Sequence, residues 1–175
     1  FAFLNGVVFH NIFDDNVLKN GNKIFLNQDD YYYTDMNQFL LNIWVWATFV
    51  SSFVVKREKW IHNKKLDSYV GTDILLSYAL IDLLNISKKV MIVGMPCIAI
   101  RAAYSGNYRI IYAFSYQWKK LLLEYAPTLG FDLIIMEKIF KKSVLKDLFP
   151  RLLKISIKNR IDKTSKEYEY LSYGI

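Results

Sequence analysis

The sequence has a single cysteine, Cys97, and only two histidines among its 175 residues. One cysteine excludes an internal disulfide and a cysteine-based zinc site, and it is typical of a protein in a reducing compartment such as the cytoplasm. Because Cys97 stands in an apolar run, we expect a buried and inert thiol. The histidines lack partners at metal-ligand spacing, and no glycine-rich loop precedes a helix in the phosphate-cradling pattern. These absences argue against disulfide scaffolds, metal sites built on histidine and the nucleotide-binding fingerprints.

Hydrophobic residues make up 53% of the chain and aromatic residues 17%, which argues against disorder. The length suits one domain or a large piece of one. The chain opens on apolar residues from Phe1 to Leu4, without the charged stretch of a signal peptide, and we interpret it as part of a longer protein whose N-terminal part is missing. The net charge of +7 permits an anionic partner, which would be a nucleic acid, a membrane surface or a phosphate-bearing ligand.

An apolar stretch that is almost uninterrupted runs from Ile74 to Leu84 and predicts a buried helix. Thr72 is a good N-cap for this helix, and Asp73 would lie in its first turn, where the helix dipole favours negative charge. Gly71 would let other groups approach closely. Asp73 is therefore either a fixed carboxylate at a functional site or a residue that only supports the cap.

The remaining pattern alternates strands and helices and predicts a mixed α/β fold. Asn5 and Gly6 indicate a turn or bulge within the first strand, and Asp35 or Thr34 can cap a helix. Asp29 and Asp30 resemble a metal-binding pair, but we interpret them as a solvated turn. The predicted strands are 1–4, 7–9, 48–55, 89–94 and 97–102, and the predicted helices are 36–46, 108–125 and a basic stretch from 131 onward, with a further helix start at 56–60.

Five segments follow one another in a characteristic order: the tryptophan-bearing helix predicted at 36–46, Thr48–Val55, Lys56–Trp60, Tyr69–Asp73 and the pair Gly106-Asn107. In this order they resemble the acceptor-side half of family 2 glycosyltransferases, and most closely the abequosyltransferase-like branch. That branch has an aromatic-rich helix, a Phe-x-Ser-Ser strand, a Lys/Arg-Glu-x-Trp segment, a Gly-Thr-Asp-like turn into a helix, and later a Gly-Asn turn. The similarity covers roughly residues 1–114 and rests on order and spacing.

The resemblance implies a partial glycosyltransferase A-type fold in residues 1–107, followed by a helical basic extension in 108–175. It implies that Asp73 matches the family's catalytic acid, although Thr72 replaces the glutamate that usually precedes it. It further implies transfer of a hexose-type sugar from a nucleotide-sugar donor to a saccharide or lipid-linked acceptor in surface polysaccharide synthesis. A divalent cation, Mg²⁺ or Mn²⁺, is expected for the full-length enzyme, but its ligand motif is not in this chain.

Several other residues could contact substrate in such an enzyme. Ser51 and Ser52 would lie at a strand end and could hydrogen-bond to a sugar, or they are ordinary strand residues. Trp46 could stack on a sugar face, or it belongs to the core. Gly71, Thr72 and Asn107 complete the candidates. We predict catalysis by Asp73 as general base and substrate contacts by these six residues.

The basic end of the chain has two interpretations. Met136, Phe140, Val144 and Leu148 recur at four-residue spacing between lysines. This apolar stripe either packs on the domain or inserts shallowly into an anionic bilayer, which would place the protein on the inner face of the membrane. The alternative to an enzyme is then a non-catalytic module that docks on membranes or protein partners. Nucleic acid is disfavoured as a partner because the aromatics lie in apolar runs rather than among basic residues.

Overall fold

The computed structural model describes residues 1–9, 26, 28–61, 63, 65–101 and 112–150. Within these residues the fold is α/β, with a mixed four-stranded sheet. Predictions that concern Asn107, the two histidines and the tail beyond Pro150 lie outside the described residues. The same holds for the predicted boundary between 107 and 108, which stays a prediction.

A long parallel pair of strands forms the centre of the sheet. The strands are β1 (Ala2–Phe9), β2 (Tyr31–Tyr33), β3 (Phe53–Val54) and β4 (Val90–Arg101). Strands β1 and β4 run parallel to each other, β2 pairs antiparallel to β4, and β3 pairs antiparallel to β1, which gives the order β2-β4-β1-β3. Phe3 and Ile92 are fully buried on the central pair.

A bulge interrupts the central pair where the sequence predicted irregularity. The register passes from Leu4 opposite Val93 to Gly6 opposite Ile98, so β4 carries the extra residues. Asn5 is fully buried here, and its amide donates to the carbonyl of Gly94 over 2.6 Å and to that of Leu26 over 2.7 Å. The irregularity predicted at Asn5 and Gly6 is confirmed, although its extra residues lie in β4. The predicted strands 1–4 and 7–9 are one strand, β1, and the predicted strands 89–94 and 97–102 are one bulged strand, β4.

The bulge also changes the environment of Cys97. We expected a buried thiol, and this expectation is wrong because Cys97 is exposed and its Sγ lies 3.3 Å from the carbonyl oxygen of Met95. Gly94 is required at the same bulge, since an added Cβ would lie 2.3 Å from the carbonyl oxygen of Gln28. Alternating apolar residues could not reveal this, because a bulge shifts every later side chain to another direction.

Helix α1 confirms the predicted capping but not the strand that was predicted after it. Asp35 caps α1 (Met36–Ile43) by accepting from the backbone of Asn37 over 2.8 Å. The predicted strand 48–55 is wrong: tight 3₁₀ turns cover Trp44–Thr48 and Val50–Ser52, and only Phe53–Val54 pairs with β1. A continuous apolar run marks burial but does not distinguish a strand from compact turns.

The helix start predicted at 56–60 appears as α2 (Arg57–Ile61). The next helix is the buried helix that the sequence predicted. Helix α3 (Leu75–Asn85) is buried on most sides, from Ser77 to Leu84 with Asp82 intermediate. The predicted cap is wrong, however, because α3 begins after Ile74 without any side-chain cap and Asp73 precedes its first turn.

Two basic helices complete the described fold. Residues 112–128 form α4, in which Tyr112–Gln117 and Lys120–Tyr125 are wound as π-helix, and α5 (Leu133–Ser143) continues as π-helix through Val144–Leu148. The Trp118 indole donates to Ser143 Oγ over 3.3 Å and joins the two helices. Buried residues of the sheet, α1, α3, α4 and α5 form one cluster. No described helix is long and apolar enough to cross a membrane.

Candidate functional site

Asp73 lies in the turn that leads into α3, and a distant helix fixes its backbone. Its N–H donates to the side-chain carbonyl oxygen of Gln117 in α4 over 2.9 Å. Gln117 is itself 5% exposed. Since the Gln117 side chain is buried and Asp73 is half-buried, this hydrogen bond holds the Asp73 backbone against the body of the domain. Gln117 gave no signal in the sequence, because 44 residues separate it from its partner.

A cavity of about 360 Å³ opens beside Asp73. This volume falls in the range of about 300–1,000 Å³ that small-molecule sites occupy. One aspartate, two threonines and a serine line the cavity together with aliphatic residues, and most of these residues come from the start of α3 and the turn before it. The lining residues are Thr48, Thr72, Asp73, Ile74, Leu75, Leu76 and Ser77. A few polar groups in a mainly apolar wall are suited to orienting a polyol.

The Gly71-Thr72 turn precedes Asp73 at this cavity. Gly71 has a φ of +93°, and an added Cβ would meet no atom within 4 Å. Glycine is therefore needed here for its backbone conformation and not, as we expected, for close approach. The Thr72 hydroxyl donates to the carbonyl oxygen of Tyr69 over 2.9 Å, which keeps its oxygen available as an acceptor.

The other sequence candidates do not join the cavity wall. Trp46 is 5% exposed, and its ring packs against Phe49 with centroids 5.2 Å apart, as a core residue would. Ser52 is fully buried, whereas Ser51 is exposed. Thr48, two residues after Trp46, provides the contribution of this segment instead. The structure thus brings together Thr72 and Asp73 next to Gly71, and it leaves the two serines and Trp46 outside.

A second carboxylate, Asp82 in the C-terminal half of α3, was missed by sequence reasoning. Tyr69 donates to its Oδ2 over 2.7 Å, Tyr125 donates to its Oδ1, and the two phenols contact each other. Asn63 donates to Oδ2 over 3.4 Å, and the Lys65 ammonium lies 3.9 Å from Oδ1. A carboxylate inside an apolar helix requires such partners, so its position could have revealed the cluster.

The tyrosines around Asp82 hold their protons strongly. Burial raises the pKa of Tyr69 and of Tyr125, and the hydrogen bonds to Asp82 act in the same direction. Tyr78 stacks on Tyr69 with ring centroids 4.9 Å apart, and burial, with Glu124 nearby, raises its pKa to about 12. Protonated phenols remain donors to the carboxylate at neutral pH. The cavity of about 280 Å³ beside Asp82 therefore faces a carboxylate that the protein already satisfies.

The described residues include no group of three or more acidic, histidine or cysteine side chains that could hold a metal ion. Asp29 and Asp30 are exposed, as we predicted, and Asp30 accepts from the backbone N–H of Gly94 over 2.7 Å. The Asp30 carboxylate is thus bonded to the backbone of β4.

Comparison of the chain with models of known protein families, with curated protein sequences and with solved structures found no match. Its function must therefore be inferred from the geometry around Asp73. The order of the sequence segments described above is the second observation from which the function can be inferred.

Proposed function

We propose that this chain is the acceptor-side part of a glycosyltransferase of the A-type fold. It would transfer a hexose-type sugar from a nucleotide-sugar donor to a saccharide or lipid-linked acceptor in surface polysaccharide synthesis. The observation that carries this proposal is a cavity of small-molecule size that is lined by Asp73 together with Thr48, Thr72 and Ser77. The mixed sheet with its central parallel strand pair is compatible with the proposed fold.

In the proposed reaction Asp73 is the general base. Its carboxylate takes the proton from an acceptor hydroxyl, and the acceptor oxygen then forms a bond to the anomeric carbon of the donor sugar. The bond between that carbon and the donor phosphate oxygen breaks, and the nucleoside diphosphate leaves with the electron pair. The reacting hydroxyl must lie within hydrogen-bond reach of the base, at about 2.6–3.2 Å. A backbone held by Gln117 reduces the motion of Asp73 and favours this geometry.

The acceptor would be oriented by the hydroxyl groups around Asp73. The side chains of Thr48, Thr72 and Ser77 line the same cavity and can exchange hydrogen bonds with sugar hydroxyls. Leu75 and Leu76 offer an aliphatic surface for the C–H face of a sugar ring. We assign no described residue to the donor phosphates or to a divalent cation.

The test is the substitution Asp73→Asn in the full-length enzyme. The amide keeps the shape of the side chain but cannot accept the proton, so we expect transfer to fall by about 10²- to 10⁴-fold. The assay follows transfer of radiolabelled sugar from UDP- and GDP-hexoses to a membrane extract. Asp67→Asn is the matched control, because Asp67 is an exposed aspartate of the preceding turn that does not line the cavity.

Three measurements interpret the result. Circular dichroism and donor-nucleotide binding should match wild type in both variants. Transfer by Asp73→Asn at the level of Asp67→Asn would refute the role of Asp73 as base. Equal loss in both variants would show that the charge of this loop, and not one positioned carboxylate, supports the reaction.

A further inference from the structure

The outer side of α5 and the turns that follow it carry a line of exposed apolar and basic residues. Ile134 is 66% exposed, Leu145 is 68% exposed and Phe149 is 50% exposed. Lys138 and Lys141 fall between them, so that the line advances by three or four residues at each step and stays on one side of the helix. We call Ile134, Lys138, Lys141, Leu145 and Phe149 the outer row.

The opposite side of the same helix is already occupied. Met136, Phe140 and Leu148 belong to the stripe that could have inserted into a bilayer, and all three are buried against the domain. Of the two interpretations of this stripe, the structure supports packing on the domain. A membrane contact through α5 therefore has to use the outer row, whose apolar side chains have no cover within the described residues.

Charge along this helix favours an anionic surface. Residues 133–150 contain four lysines and two acidic residues. Lys138 and Lys146 are exposed, and Lys141 is only partly offset by Glu137, whose carboxylate lies 3.3 Å away at the solvent-exposed surface. Lys142 instead turns back over the Trp44 ring, 4.9 Å from its centroid. Three ammonium groups thus accompany the outer row.

We propose that the outer row docks the protein on the interface of a bilayer that contains anionic lipids. Ile134, Leu145 and Phe149 enter the boundary between headgroups and acyl chains, while the lysines contact lipid phosphates and carboxylates. A nucleic acid would satisfy the lysines but offers no apolar layer for the aliphatic side chains. A single narrow line of apolar side chains also lacks the compact hydrophobic centre of a protein interface. The inference is independent of any catalytic role of Asp73.

The experiment is sedimentation of the intact chain with vesicles of two compositions. One set is phosphatidylcholine alone, and the other contains about one quarter phosphatidylserine. We expect binding to the anionic vesicles, and we expect added salt to weaken it because exposed charges are screened.

Two double variants separate the apolar and the basic contributions. Ile134→Ser with Leu145→Ser should weaken binding by about tenfold or more, since two aliphatic side chains lose their burial. Lys138→Glu with Lys146→Glu should weaken it by at least about 20-fold, since each lysine near an anionic surface contributes about fivefold. All variants should keep the thermal unfolding midpoint of wild type, because the four positions are exposed.

Each double variant has a control elsewhere on the surface. Ile61→Ser with Ile86→Ser removes aliphatic side chains that are 62% and 60% exposed, and Lys56→Glu with Lys88→Glu makes the same change in net charge. Vesicle binding equal to that of wild type is expected for the apolar control, and a much smaller loss for the charge control. The proposal is wrong if wild type does not sediment with anionic vesicles or if variants and controls lose binding equally. It is also wrong if the two double variants of α5 and the turns after it keep vesicle binding but lose binding to a polyuridine oligonucleotide.

Discussion

Asp73 and Asp82 lie near the two ends of the same buried stretch, and the protein holds the two residues through different groups. Asp73 is held through its backbone by Gln117, and its side chain lines a cavity of about 360 Å³. Asp82 is held through its side chain, which is 11% exposed and accepts from Tyr69 and Tyr125. One carboxylate is positioned by the fold, whereas the other helps to hold the fold together.

The comparison shows how a functional carboxylate can be distinguished from a structural one. When side chains of the protein donate to a carboxylate, these hydrogen bonds connect elements of the fold, as Asp82 connects α3 to α4. At Asp73 the backbone N–H is bonded to Gln117, and the residue lines the cavity. The second arrangement is the one that a base for an incoming hydroxyl requires.

The largest predicted effect comes from removing each carboxylate in turn. Asp82→Ala leaves the buried phenol of Tyr69 and the half-buried phenol of Tyr125 without their acceptor and should lower the free energy of unfolding by about 3 kcal/mol. Asp73→Ala keeps the backbone hydrogen bond to Gln117 and should cost at most about 1 kcal/mol. Urea unfolding followed by circular dichroism measures both. Equal costs at the two positions would abolish the distinction between them.

Local sequence patterns predicted the parts of the fold that short-range physics decides. The Asp35 cap and the buried helix α3 follow from side chains within a few residues of each other. The strand predicted at 48–55 failed because compact turns and strands bury the same apolar residues. The exposure of Cys97 was not predicted, because it results from a bulge that depends on how β4 pairs with β1.

The candidate site was predictable only in part, for a related reason. Gly71, Thr72 and Asp73 form one contiguous turn, and the sequence shows that turn directly. Gln117 and Thr48 approach Asp73 through tertiary packing, which no local pattern encodes. Asp82 was accessible to sequence reasoning, because an acid within a buried helix must find donors.

A smaller effect should come from Gly71→Ala, which strains the turn before Asp73 without touching the Asp82 cluster. At a φ of +93° an alanine should cost about 1 kcal/mol, although its Cβ would meet no neighbouring atom. Gly130→Ala is the matched control, since Gly130 has a φ of +92° and equally open surroundings. Urea unfolding should give similar costs for both variants, while transfer should fall for Gly71→Ala alone. Equal transfer in the two variants would mean that the geometry of this turn does not matter to the site.

The smallest predicted effect is a pH dependence that arises from Tyr78, near the Asp82 end of the stretch. In the unfolded chain a tyrosine loses its proton near pH 10, whereas Tyr78 in the folded chain has a pKa of about 12. Above pH 10 the unfolded state therefore binds fewer protons than the folded state, and stability falls as the pH rises toward 12. Tyr78→Phe removes this phenol and should give a shallower decline of the urea midpoint between about pH 9 and about pH 11.5. Tyr31→Phe, at a residue that is 56% exposed, should follow wild type, as should Asp73→Asn. If Tyr78→Phe declines as steeply as wild type, its phenol is not held neutral by burial, and the cluster around Asp82 is more open to water than its packing indicates.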